Sequence, residues 1–289
     1  MNKFDIKGIK AFLLDEIWRV TDDEVSKKRG MLYNAIKIIT LSIKEFVERR
    51  IVNMASALTF STLLAIIPIL AILFAIARGF GFANLLEDQF RVSLQGQAFT
   101  AETILSFIDS YLSQAQSGIF IGVGLIMLFY TVLLLTYNME RTFNSIWQVK
   151  KPRTLYRKIT DYFSMLFLIP LLILLSSGIS IFISTFMKNI TEFALLAPII
   201  KFMVRLTPFI LTWGMFTALY IFMPNTKVKL KYAIFPGILA GSAFQLFEYL
   251  YIGSQIWVSR YNAIYGSFAA IPMFLLWAQI SWSICLYGA

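Results

Sequence analysis

The sequence predicts an all-α polytopic membrane protein, with six transmembrane helices preceded by amphipathic cytoplasmic helices. Three observations carry this. Charged residues make up only 15% of the chain against 58% hydrophobic, too little charge to cover a soluble domain of 289 residues. Apolar runs of some twenty residues recur from residue 54 onwards; at about 1.5 Å per helical residue, each can cross a hydrocarbon core of roughly 30 Å. Finally, lysine and arginine collect in alternate connections, as the positive-inside rule requires.

Residues 1–53 mix eleven Lys/Arg with eight Asp/Glu and hold no long apolar run, so no signal peptide is expected and the first span serves as insertion signal. Residues 1–50 are assigned to a cytoplasmic N-terminal segment and 51–289 to the transmembrane domain. Ile6, Ile9, Leu13 and Ile17 fall at helical spacing, with Lys3, Lys7 and Lys10 off that stripe. After the charged hinge 21–30, Leu32, Ile36, Ile39, Ile43, Phe46 and Val47 share one face and Lys37, Lys44 and Glu48 another. Such a helix just before a span lies in the interface plane, packs as a small cap on the membrane domain, or does both.

The spans are expected at about 54–78, 118–139, 162–187, 199–222, 232–257 and 267–289. Pro68, Pro170, Pro208 and Pro272 fall inside four of them, and Pro236 in the first turn of the fifth. An interior proline removes one backbone hydrogen bond and kinks a helix. Gly118, Gly122 and Gly124 include small residues four apart, which permit close helix approach. In the longest connection, 79–117, Leu85, Phe90 and Leu94 and then Ile104, Phe107, Ile108 and Tyr111 suggest two short helices. Residues 140–161 and 223–231 read as solvated basic loops, and 258–266 as the loop joining the last two spans. Segments 27–50, 140–161 and 223–231 hold seven, six and three Lys/Arg, while 79–117, 188–198 and 258–266 hold one each. Both termini are therefore expected in the cytoplasm. The net charge of +10 then faces anionic lipid, and nucleic acid need not be invoked.

The chain has no histidine, which removes the commonest general base and transition-metal ligand. Its single cysteine, Cys285, lies in an apolar run. Acids are scattered one per segment, so no metal cluster, cofactor site or catalytic residues are expected, and the chain is not read as an enzyme. Glu248 is the one acid well inside a span. A carboxylate there faces protein or water, pairs, or stays protonated, and leans toward function. Arg205 and Glu248 lie roughly 9 and 14 Å in from the outer ends of spans four and five. They are candidate charge partners at the floor of an outward-facing polar cavity. The alternative has Arg205 and Lys201 snorkelling to the headgroups over a protonated Glu248. Gln245 and Gln279 are the candidate hydrogen-bonding groups, and Asn53 and Thr59 candidate lining.

Three stretches resemble the YihY/BrkB family of bacterial inner-membrane proteins. They are ASALTFSTLLAIIPILAIL in the first span, FNSIWQVKKPRTLYRK at Phe143–Lys158, and the closing YGSFAAIPMFLLWAQISWSICLYGA. The resemblance covers about residues 35–289 and implies a six-helix inner-membrane protein. Members continue with Gly-Ala-Glu and a polar tail, so the natural chain is expected to run past Ala289. Some members were formerly labelled ribonuclease BN, a transfer-RNA processing enzyme, and one branch is called a serum-resistance virulence factor. The residue inventory disfavours the nuclease. The expected function is transport, flippase or permease action on an unknown small-molecule or lipid substrate, through a cavity formed by spans one, four, five and six. The rival is a membrane scaffold or envelope-integrity factor docking a cytoplasmic partner through Lys150–Lys158. A homo-oligomer is compatible with either.

Overall fold

The computed structural model describes residues 17–19, 27–79, 81–93, 102, 104–110, 120–154, 156–158, 160–161, 197–265 and 270–289. Within the helices, the side chains of 17, 27–29, 31, 32, 35, 85, 89, 92, 93, 120–128, 197–205, 252, 254–265 and 270 lie outside that description. The predicted helix up to residue 16, the third span with Pro170, and Gly118 lie outside the described residues. All regular structure among the described residues is helical. Two compact units form, Met1–Met54 and Ala55–Ala289.

The first unit holds a helical turn, Ile17–Arg19, and helix α1, Lys27–Glu48. Arg50 closes α1 in the left-handed region at φ 52, its N–H donating to the Val47 carbonyl at 3.1 Å. A side chain there costs about 1–2 kcal/mol, yet the chain gains a sharp break, because α2 begins at once with Ile51–Gly79.

In the second unit α2 ends on glycine. Gly81 takes φ 77, and the Gly81 and Phe82 N–H groups reach back to the Arg78 and Ala77 carbonyls at 3.1 and 2.7 Å. This double return satisfies carbonyls that a helix end leaves open. It turns the chain into α3, Ala83–Ser93, and the helical run 104–110 follows. Leu73, Phe74 and Ala77 of α2 pack with Leu86, Leu105 and Ile108 in a small core, and Phe90 meets Phe74 edge-on at 6.2 Å. Arg78–Asp109 and Arg91–Glu102 ion pairs bracket this core. Both are exposed and worth at most about 1 kcal/mol each, so apolar burial holds the cap. The two expected short helices are present, and Phe90, Ile104 and Ile108, expected inward, pack in this core. Leu86 is buried and Phe107, expected inward, is exposed.

Among the described residues four long helices follow: α4, Phe120–Ile146; α5, Ala197–Phe222; α6, Leu230–Tyr265; and α7, Ala270–Gly288. α2, α6 and α7 contain stretches long and apolar enough to cross a membrane, and Leu206–Phe222 of α5 is a shorter apolar helix. Two boundaries differ from expectation. α4 runs seven residues past 139, because nothing from Glu140 to Ile146 opposes a helix. The expected loop 258–266 is helical through Tyr265, giving α6 a length of about 54 Å. That stretch has no proline and no glycine from 254 to 265, so nothing local stops the helix. Pro236 lies in the helix interior rather than in its first turn.

α5 and α6 pack as antiparallel neighbours, and glycine lets them touch. A Cβ on Gly237 would run into the Thr217 hydroxyl and backbone, and one on Gly241 would meet Trp213 Cδ1 at 2.7 Å and its nitrogen at 3.2 Å. These are small residues four apart, the spacing that admits close approach. Gly214, by contrast, has nothing near it. Gly237→Leu is expected to destabilise the protein by about 1–3 kcal/mol, while Gly214→Leu leaves the melting temperature in detergent close to wild type. Equal effects from both would show that the seam is not tight.

Candidate functional site

Polar side chains on these apolar helices first satisfy their own helix. Thr59, Ser61 and Thr62 donate to the carbonyls four residues back, at 2.8, 3.0 and 2.8 Å. Ser61 and Thr62 then accept from a second helix, while Thr59 shares its proton with one. The Thr59 hydroxyl also reaches Gln279 Oε1 of α7 at 3.2 Å. Trp282 Nε1 donates to Thr62 at 3.0 Å, and Asn138 Nδ2 of α4 donates to Ser61 at 2.8 Å. α2 is thereby tied to α7 and α4 by hydrogen bonds inside an apolar bundle. Where water is absent these are costly to leave unmade.

The α5–α6 seam carries a second chain of bonds. The buried Thr212 hydroxyl donates to the Pro208 carbonyl at 2.7 Å, and Gln245 Nε2 donates to Thr212 Oγ1 at 2.6 Å and to Pro208 O at 3.4 Å. Trp213 Nε1 donates to Ser242 at 3.0 Å one turn away. Pro208 thus stands opposite Gln245. In an antiparallel pair, three residues beyond each are positions 205 and 248, which therefore stand level and on the same sides of their helices as that contact. Glu248 is half-buried, and among the described residues no cation pairs with it. The Arg205 side chain lies outside the described residues.

Of the six candidates, the structure brings Gln279 to Thr59 and places Glu248 and Gln245 one turn apart on the seam. Asn53 is exposed in the first turn of α2, within the first unit. Asn138, Thr212 and Ser242 were not singled out by the sequence reading. Their signal was present only as Asn, Thr and Ser in apolar runs, types that bond across membrane helices.

One end of the unit is more ordered than a solvated loop. α4 and α5 both finish there, with Phe143 against Tyr220 at 6.2 Å, and the Tyr220 hydroxyl donates to the Cys285 carbonyl of α7 at 2.9 Å. α4 closes on Gln148 at φ 52, the Val149 and Gln148 N–H groups returning to Asn144 and Ser145 at 2.8 and 3.3 Å. The chain then folds back over Glu140, which is 2% exposed. The Arg153 side chain, 6% exposed, lies 3.9 Å from Glu140 and 3.3 Å from Asp161, and donates to the Phe222 carbonyl at the end of α5. A cation at a helix C-terminus meets the negative end of its dipole. Asn225 completes the tie: its N–H donates to Asn144 Oδ1 at 2.7 Å and its amide to the Lys151 carbonyl at 2.8 Å. Tyr156 and Arg157 remain exposed, as a solvated loop requires, but Arg153, counted with them, is a buried structural group. Among the described residues no three His, Cys, Asp or Glu side chains gather as metal ligands.

Arg153→Ala leaves Glu140 buried without its cation and is expected to cost about 3–5 kcal/mol, read as loss of folded protein in a detergent melt. Gln148→Gly removes the left-handed penalty and is expected to raise stability by about 1 kcal/mol. A lower melting point for Gln148→Gly would contradict the cap.

Residues 42–289 match the family described as Virulence factor BrkB. A UPF0761 membrane protein of Haemophilus influenzae (strain 86-028NP) is 32% identical, over 85% of this chain and 90% of the relative. One of Mannheimia succiniciproducens is 32% identical over 84% of each chain. A longer one, of Paraburkholderia xenovorans, is 32% identical over 84% of this chain and 56% of its own. No solved structure gives a significant match. With helices of bilayer length and these relatives, the chain is a membrane protein belonging to the Virulence factor BrkB family, the YihY/BrkB group.

Proposed function

We propose that the chain is a non-enzymatic, permease- or flippase-like protein of the bacterial inner membrane, crossing six times with both termini in the cytoplasm. α4 and α5 finish at the same end. On this reading the chain between them crosses once more, for which the apolar run 162–187 has the length and hydropathy. The shared end carries the exposed Lys150, Lys151, Arg157, Lys227 and Lys229, which supports its assignment to the cytoplasm.

The observation that carries the reading is the seam around Glu248. An ionisable acid held half-buried in an apolar helix pair, one turn from the Gln245–Thr212–Pro208 bonds and level with position 205, is costly to keep for packing alone. A proline-containing helix beside polar groups is the usual transporter arrangement. Arg205 and Glu248 act as charge partners that part when a substrate group enters. Gln245 and the Thr59–Gln279 pair supply exchangeable hydrogen bonds. Asn53 stays a candidate at the start of α2. The substrate is a small molecule or a lipid.

A scaffold reading draws on the exposed side chains around Tyr156 and Arg157. The two separate in proteoliposomes containing nitrobenzoxadiazole-labelled phosphatidylethanolamine or phosphatidylglycerol, with small-solute entry followed in parallel by vesicle swelling. Wild type is expected to move at least one probe. Glu248→Gln is expected to lower its rate about tenfold or more, the scale of losing a charged hydrogen bond, while the protein stays folded. No movement of any probe, or a full rate in Glu248→Gln, would leave transport unsupported. A phenotype that responds only to charge reversal at Lys150 and Lys151 would favour the scaffold.

A further inference from the structure

We propose that the open apolar stripe of α1 docks on an anionic bilayer surface, laying this helix in the headgroup plane. Ile39, Ile43 and Val47 recur every four residues along one side of Lys27–Glu48 and are 54, 52 and 67% exposed. A helix of this kind owes its stability to burial of its apolar stripe. Among the described residues of Met1–Met54 that stripe stays open, and a bilayer surface can cover it.

The charge pattern selects the phase. Segment 27–50 holds seven Lys/Arg against two Glu. Both glutamates have a basic neighbour one turn away, Lys44–Glu48 at 3.8 Å and Arg49–Glu45, so the surplus presented outward is positive. Lys37, Lys44 and Glu48 lie away from the stripe, although Ile38 and Leu41 interrupt that polar side. A bilayer answers both features, with acyl chains for the stripe and anionic headgroups for the lysines and arginines. Chain continuity supports it. α1 ends at Glu48 and the bilayer-length α2 begins at Ile51. Two residues cannot carry the end of α1 beyond the reach of headgroup charge, which acts over about 8–10 Å. This reading is independent of any transport activity.

The test uses the full chain in nanodiscs of pure phosphatidylcholine and of phosphatidylcholine with phosphatidylglycerol. Cys285, the only cysteine in the sequence, is buried, so the unaltered protein is the labelling blank. Spin labels placed through Ile39→Cys, Ile43→Cys, Val47→Cys, Lys44→Cys and Glu48→Cys are probed with oxygen, which enters acyl chains, and with a water-soluble nickel chelate. With phosphatidylglycerol present, positions 39, 43 and 47 are expected to favour oxygen at least about threefold more than 44 and 48. In phosphatidylcholine alone, or with Lys37→Glu and Lys44→Glu together and position 48 as the polar-side reference, that contrast is expected to shrink by half or more. Nickel access at all five positions overturns the proposal in favour of a solvated helix. Protection of 39, 43 and 47 from both reagents overturns it in favour of packing on protein. A contrast indifferent to lipid charge overturns the anionic selection.

Discussion

The close approach of α5 and α6 at Gly237 and Gly241 is the constraint from which the rest of the geometry follows. Because the backbone of Trp213 and Thr217 occupies the space a side chain would need, the two helices meet in one register. That register sets Pro208 opposite Gln245 and levels position 205 with Glu248. It also brings the Met223–Lys229 turn to the end of the bundle, where Asn225 meets Asn144 and the Lys151 carbonyl. A larger residue at either glycine would disturb the seam, the acid and the tie to α4 together.

Around this seam the molecule deals with polar groups in two ways. Inside the bundle, hydroxyls first bond their own helix and then lend an oxygen to a neighbour, as Thr62 does for Trp282 and Thr212 for Gln245. This joins helices at little cost, since no charge is buried. At the end shared by α4 and α5, a carboxylate and a guanidinium are buried together, and the pair is stabilised by its neighbours more than by attraction alone. Glu140 accepts from the Arg153 N–H at 3.4 Å and the Asn144 amide at 3.3 Å, and Arg153 is shared with Asp161 and the Phe222 carbonyl. Such a pair does little for net stability compared with an apolar replacement, but it is strict about geometry. It suits an end where several chain segments must be kept in one arrangement.

Much of this was legible from residue order. Apolar runs of bilayer length gave α2, α5, α7 and the start of α6 within a few residues, because burial in lipid leaves a backbone no alternative to the helix. The short helices after α2 were legible from periodicity, which put Phe90, Ile104 and Ile108 on the packed face, whereas the exposure of Phe107 was not, since only the contact with Phe74 and Ala77 selects which apolar side chains are covered. The reach of α6 to Tyr265 was obscured by polar residues that mark a loop by composition and yet do not prevent a helix.

The sequence by itself determined the helical class, the membrane setting and the unusual placement of Glu248, because hydropathy and the cost of charge in lipid are properties of residues in order. Only the tertiary structure decided that Arg153 is buried on Glu140 while Arg157, four residues on, is solvated, and that Gln279 answers Thr59 while Gln245 answers Thr212. These are choices among chemically equivalent partners. Chain direction and helix register make them, and neither is written in any single stretch.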